Sequence, residues 1–280
     1  MNNDPLDPGF SAAEADPRRR YRLCRAGLAF NALGLALLVV HNAALLADAL
    51  QIGREIGLAR AVGSKEWKWV FTTGITFALL IGPCLLLGRW DEPHWRRRAG
   101  LLLLVGLAKA GTWLASNAVD FGLARNEPGH EWFRMHVILI SGYIQFGLLT
   151  ALAADVAVHL GARLNPEGVR RARVLVVLGV TAWAIFLLSQ TDWAHGWPLR
   201  PARIRNMQGG FQGYMLYLAI LLTRVLCSLQ AMILSLVAIR ECSAYLRELD
   251  AAEAMGPAGA GDSGMDVLKT RSTGFENDRW

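Results

Sequence analysis

The chain has 280 residues, of which 53% are hydrophobic, and its mean hydropathy is +0.29. The apolar residues form long continuous blocks, which excludes an ordinary soluble domain and the short alternating strands of a membrane barrel. The net charge of +6 comes from arginines at the ends of these blocks rather than from a basic domain. We therefore expect a membrane protein with no nucleic-acid partner.

The predicted elements are six membrane-spanning helices between two polar ends. Residues 1–25 are acidic and then basic, and we expect a disordered cytoplasmic head. A transmembrane domain over residues 26–242 follows, because an apolar core about 30 Å thick requires about 20 apolar residues per helix. The predicted spans cover residues 26–49, 69–88, 99–120, 133–160, 172–189 and 212–242. Residues 243–280 include GPAGAGDSG and are typical of a flexible cytoplasmic tail.

The fold class predicted from this pattern is an all-α integral membrane protein, a six-helix transmembrane bundle. Lys and Arg accumulate in the cytoplasmic loops of such proteins. With both termini cytoplasmic, the inner flanks carry Arg18, Arg19, Arg20, Arg22, Arg25, Arg89, Arg96, Arg97, Arg98, Arg163, Arg170, Arg171 and Arg173. This bias predicts a plasma membrane of the bacterial inner type with the N- and C-termini in the cytoplasm.

Four of the six spans carry polar residues at spacings of three, four or seven, which places them on one helix face. The residues are Gly34, His41 and Asp48, then Lys109, Thr112, Ser116 and Asp120, then His136, Tyr143 and Thr150, and finally Tyr217, Arg224, Ser228 and Ser235. We expect these spans to enclose a polar crevice that opens outward. The fifth span is almost entirely apolar, and we expect it to face lipid.

Lys109 and Arg224 are the two cations predicted near the membrane midplane. Each lies roughly 15–18 Å from the nearer surface at 1.5 Å per residue, too deep for its charge to reach an interface easily. No carboxylate of the sequence is expected at that depth. Three explanations stay open: carbonyl, Tyr or Gln groups satisfy the cations, Lys109 is neutral, or an anion lies between them. A purely structural role, against backbone carbonyls or a partner subunit's acid, is a fourth.

His41 and His136 both fall in the outer third of their spans. Such a pair can ligate the iron of haem b or relay protons, although hydrogen bonding across helices is the simpler role. Asp155 and His159 have a D-x-x-x-H spacing that can hold a metal, but no third ligand is evident, so no metal site is predicted. The sequence identifies neither catalytic residues nor a cofactor.

The leading hypothesis is a transporter or channel-like protein for a small anion or an anionic amphiphile. Its predicted ligand-binding residues are Lys109, Arg224, His41, His136, Tyr143, Tyr217 and Asp120. One alternative is a membrane-embedded enzyme or a redox subunit that handles haem, quinone or lipid. Another is a non-catalytic subunit of a membrane complex. The expected partners are the lipid bilayer, an anionic small molecule or lipid, and either further copies of the chain or other subunits.

Overall fold

The computed structural model describes residues 17–50, 52, 64–87, 93–120, 130–164, 166–189 and 210–254. These residues form six helices and no strand, which confirms the predicted all-helical class. The helices are α1 (Pro17–Ala49), α2 (Lys65–Leu86), α3 (Pro93–Asp120), α4 (His130–His159), α5 (Pro166–Ser189) and α6 (Gly210–Ala254).

All six helices are long and apolar enough to span a membrane. The shortest helix, α2, has 22 residues and is about 33 Å long, which matches a hydrocarbon core about 30 Å thick. The exposed surface of the bundle carries large apolar side chains such as Leu104, Leu114 and Val177, as expected of helices surrounded by lipid.

All six helices begin before the spans predicted from hydrophobicity, and α6 also ends after its predicted span. α1 begins at Pro17 within the predicted head, α3 begins at Pro93, and α6 continues to Ala254 within the predicted tail. Apolar blocks mark only the part of a helix that contacts lipid, whereas the backbone hydrogen bonds of a helix can continue into water. The extensions of α1 and α6 pack together, because Arg18 lies 3.7 Å from Asp250 and also pairs with Glu253.

Each helix packs antiparallel against the next, and α6 closes the arrangement by packing against α1. α4 also contacts α6, so it lies at the centre of the bundle. In α4, 61% of the most apolar 18-residue stretch is buried. In α5 the corresponding share is 17%, the lowest of the six helices. Side chains on α4 can therefore reach α3, α5 and α6.

Because the helices alternate in direction, one end of the bundle combines the start of α1, α3 and α5 with the end of α2, α4 and α6. Contacts between Cys24 and Cys242, with 4.0 Å between the Sγ atoms, and between Arg98 and Asp155 join these ends. We call this the arginine-rich end, defined by Arg18, Arg98 and Arg173. The charge bias of the sequence predicts that it faces the cytoplasm.

Candidate ligand-binding site

Lys109 is buried in the middle of α3. Only 7% of the residue is exposed. Its Nζ donates a hydrogen bond of 3.1 Å to Oε1 of Gln145 on α4. Gln145 is itself fully buried, and its Nε2 has no hydrogen-bond partner among the described residues. The sequence left open which group provides a hydrogen-bond partner for this cation. In the structure that group is the side chain of a glutamine.

Arg224 lies on α6 and is also 7% exposed. Its buried Nε has no hydrogen-bond partner in the described part of the chain, and no Asp or Glu there forms an ion pair with the guanidinium. Its Nη2 would lie 3.7 Å from a Cβ placed on Gly142 of α4. A buried arginine without a polar partner is costly, since both its charge and its donors have lost water.

The two cations belong to one cluster at the junction of α3, α4 and α6. Lys109 bonds to Gln145 and Arg224 Nη2 lies beside Gly142, so both cations meet the same stretch of α4, where like charges repel. Gly142 precedes Gln145 by three residues, on the same face of α4, and Gly106 precedes Lys109 in the same way on α3. The glycines let neighbouring groups approach closely, since a Cβ on Gly106 would lie 3.4 Å from the Leu79 carbonyl oxygen of α2 and 3.9 Å from Gln145 Nε2.

Tyr143 fixes α4 to α6 next to this cluster. Its hydroxyl donates to the Ile220 carbonyl over 3.2 Å and lies 2.8 Å from Oγ1 of Thr223. Its ring packs against Gly179 of α5. The residue is fully buried, and Thr223 directly precedes Arg224 on α6. Tyr143 therefore holds the helix on which Arg224 lies.

Tyr217 extends the cluster along α6 toward the end opposite the arginine-rich end. It precedes Arg224 by seven residues, which is about 10 Å along the helix on the same face. It also lies within electrostatic range of both Arg224 and Asp48, near the end of α1. Asp120, also predicted as a ligand, is the last residue of α3, and its side chain lies outside the described residues.

The two histidines lie against different helices. Nδ1 of His136 accepts a hydrogen bond of 3.0 Å from Trp183 Nε1 on α5. His41 stacks on Phe71 of α2 with 6.3 Å between the ring centroids. The accepting Nδ1 fixes the tautomer that carries its proton on Nε2, which is not the form that ligates iron through Nε2. The geometry therefore favours a helix-packing role for His136 rather than haem ligation.

The polar stripe of α4 faces α5, and its Tyr143 also reaches α6 beside the cation cluster. His136 contacts Trp183, Tyr143 packs on Gly179, and Thr150 lies beside Ala172. Sequence reasoning did not select Gln145, which faces α3 because it lies two residues, or roughly 200°, around the helix from Tyr143. An amide inside an apolar span was the signal available in the sequence.

Within the described ranges, no group of three or more His, Cys, Asp and Glu residues is close enough to hold a metal ion. Comparisons with protein-family models, with curated proteins and with solved structures find no match. The chemistry of the cation cluster is therefore the basis for a functional conclusion.

Proposed function

We propose that this protein binds a small anion, or the anionic group of an amphiphile, between Lys109 and Arg224, and carries it across the membrane. The observation that carries the proposal is the buried Nε of the Arg224 guanidinium, which has no hydrogen-bond partner among the described residues. An anion placed there would satisfy the guanidinium and offset the repulsion between the two cations.

The polar atoms that lack partners in this cluster are hydrogen-bond donors. They are Nε of Arg224 and Nε2 of Gln145, and Lys109 Nζ retains donor capacity beyond its bond to Gln145 Oε1. A site rich in donors and without a carboxylate favours an acceptor such as a halide, a phosphate or a sulfate. Cations and neutral apolar molecules would leave these donors unsatisfied.

The burial of both cations also argues against the alternative that this protein is a subunit whose cations pair with the acids of a partner. Lys109 and Arg224 are covered almost completely by their own chain. A carboxylate on a neighbouring helix would have to displace α4 or α6 to reach them. A small ligand that enters along Tyr217 would require less movement, because that residue already extends the polar face of α6 toward one end of the bundle.

Uptake into proteoliposomes tests the proposal. Vesicles with the purified protein should take up at least one of three probes, chloride, inorganic phosphate or octyl sulfate, faster than protein-free vesicles. Octyl sulfate represents the amphiphile and the other two represent small anions. Arg224→Gln should lower the rate about tenfold or more, because a charge-assisted hydrogen bond contributes about 1.5–3 kcal/mol.

Arg240→Gln is the matched control, since Arg240 lies exposed on the same helix and its replacement should leave uptake unchanged. Membrane content is measured for each variant, so that loss of protein is not mistaken for loss of transport. Uptake at the wild-type rate by both Arg224→Gln and Lys109→Gln would contradict the proposal. Failure of the wild-type protein to transport any of the probes would contradict the transport step.

A further inference from the structure

A groove of about 230 Å³ lies between α4 and α5 toward the arginine-rich end. Its apolar wall consists of Gly147 and Ala151 on α4 and of Ala172 and Val176 on α5. A Cβ on Gly147 would contact Val176 Cγ1 at 3.7 Å, so the lack of a side chain keeps this part of the groove open. The groove is on the surface of the bundle, away from Lys109 and Arg224.

Thr150 provides a polar group inside the groove. The residue is only 3% exposed, yet its hydroxyl makes no hydrogen bond to any described residue. By contrast, the hydroxyls of Thr223 and Ser228 donate to the carbonyl four residues earlier. The Thr150 hydroxyl is therefore available as a donor to a molecule that fills the groove.

The groove has a positive charge at its rim. Arg173 lines it, is exposed, and forms no ion pair within the part of the chain that the structure describes. Arg98 lies within electrostatic range of Arg173, although Asp155 pairs with Arg98. A second concavity, on α5, differs because Glu167 lines it together with Arg170 and Arg171, and Glu167 pairs with Arg171 at 3.1 Å.

We propose that this groove binds an anionic phospholipid from the leaflet at the arginine-rich end. The phosphate contacts Arg173, an acyl chain lies along the apolar wall, and the Thr150 hydroxyl donates to an ester carbonyl. Basic side chains at a membrane surface attract anionic lipids in this way. The site is separate from the anion site of the proposed function, and neither depends on the other.

Native mass spectrometry of the purified full chain tests the lipid site, with dioleoyl phosphatidylglycerol and dioleoyl phosphatidylcholine as probes. The wild-type protein should prefer phosphatidylglycerol by about fivefold, the effect of one arginine at an anionic surface. Arg173→Gln should remove that preference. Arg171→Gln should retain it, because Arg171 pairs with Glu167 at 3.1 Å and does not line the groove.

Two further variants distinguish the contribution of the groove to lipid binding from that of the arginine charge. Thr150→Val keeps the shape of the side chain and removes the hydroxyl. It should therefore weaken the binding of both lipids, because both carry the ester carbonyl. Gly147→Leu should weaken the binding of both lipids further, because the leucine side chain fills the groove. Equal binding of the two lipids by the wild-type protein would overturn the proposal. An Arg173→Gln effect no larger than that of Arg171→Gln would overturn it as well.

Discussion

Replacing Gly179 with alanine is expected to destabilise the protein by about 2–5 kcal/mol. A Cβ at this position would stand within 2.6 Å of Cζ of the Tyr143 ring, so the ring must move. Tyr143 has no free space, since it is fully buried, and its hydroxyl bonds to Ile220 and Thr223 on α6. The cost therefore combines overpacking with the loss of buried hydrogen bonds. Thermal unfolding in detergent measures it.

Gly111→Ala is the matched control for this prediction. Gly111 lies within α3, and a Cβ there would meet no atom within 4 Å. The change should stabilise the protein by about 0.5–1 kcal/mol, because alanine loses less backbone freedom in a helix. Tyr143→Leu in the Gly179→Ala protein should recover part of the loss by making room. Similar melting temperatures of the Gly179→Ala and Gly111→Ala proteins would contradict the packing of α4 on α5.

Replacing Gln145 with leucine is expected to destabilise the protein by about 3 kcal/mol, the upper range for a buried group that loses its partner. Gln145 Oε1 is the hydrogen-bond acceptor for Lys109 Nζ at 3.1 Å, and both residues are buried. The variant leaves a buried ammonium without that acceptor. Thermal unfolding of the purified protein measures the loss.

A double-mutant cycle separates this coupling from simple loss of packing. Lys109→Met alone should also destabilise, since it leaves Gln145 with neither its carbonyl nor its amide nitrogen paired. The double variant Lys109→Met/Gln145→Leu should lie close to the wild-type stability, because apolar pairs often replace buried polar pairs at little cost. Additivity of the two single effects within about 0.5 kcal/mol would mean that Lys109 and Gln145 do not interact.

Hydrophobicity predicted the number of helices and their approximate position, because only long apolar blocks satisfy the length of a membrane span. It did not predict where α1 begins or where α6 ends. Those ends depend on contacts between the two helices, such as the stacking of Tyr21 on Tyr245 with 4.6 Å between centroids. Such contacts leave no periodic signal in either segment alone.

The candidate site could be predicted only in part. Counting residues predicted a similar depth for Lys109 and Arg224, and the structure places both against the same stretch of α4, at Gln145 and Gly142. The spacing of His136 and Tyr143 correctly placed them on one face of α4, but spacing does not tell which neighbour that face meets. The face packs on α5 because α4 is central and contacts three helices. Gln145 lies outside the heptad stripe, so the pattern did not select it.

Anion-dependent thermal stability tests the central claim most directly. A ligand that binds the folded protein raises its stability by about 2.7 kcal/mol at 100 times the Kd. We expect the melting temperature of the wild-type protein to rise with the concentration of chloride, phosphate or octyl sulfate at constant ionic strength. Arg240→Gln should respond equally, whereas Arg224→Gln and Lys109→Met/Gln145→Leu should not respond. An equal rise in the wild-type protein and Arg224→Gln would contradict an anion site at this arginine.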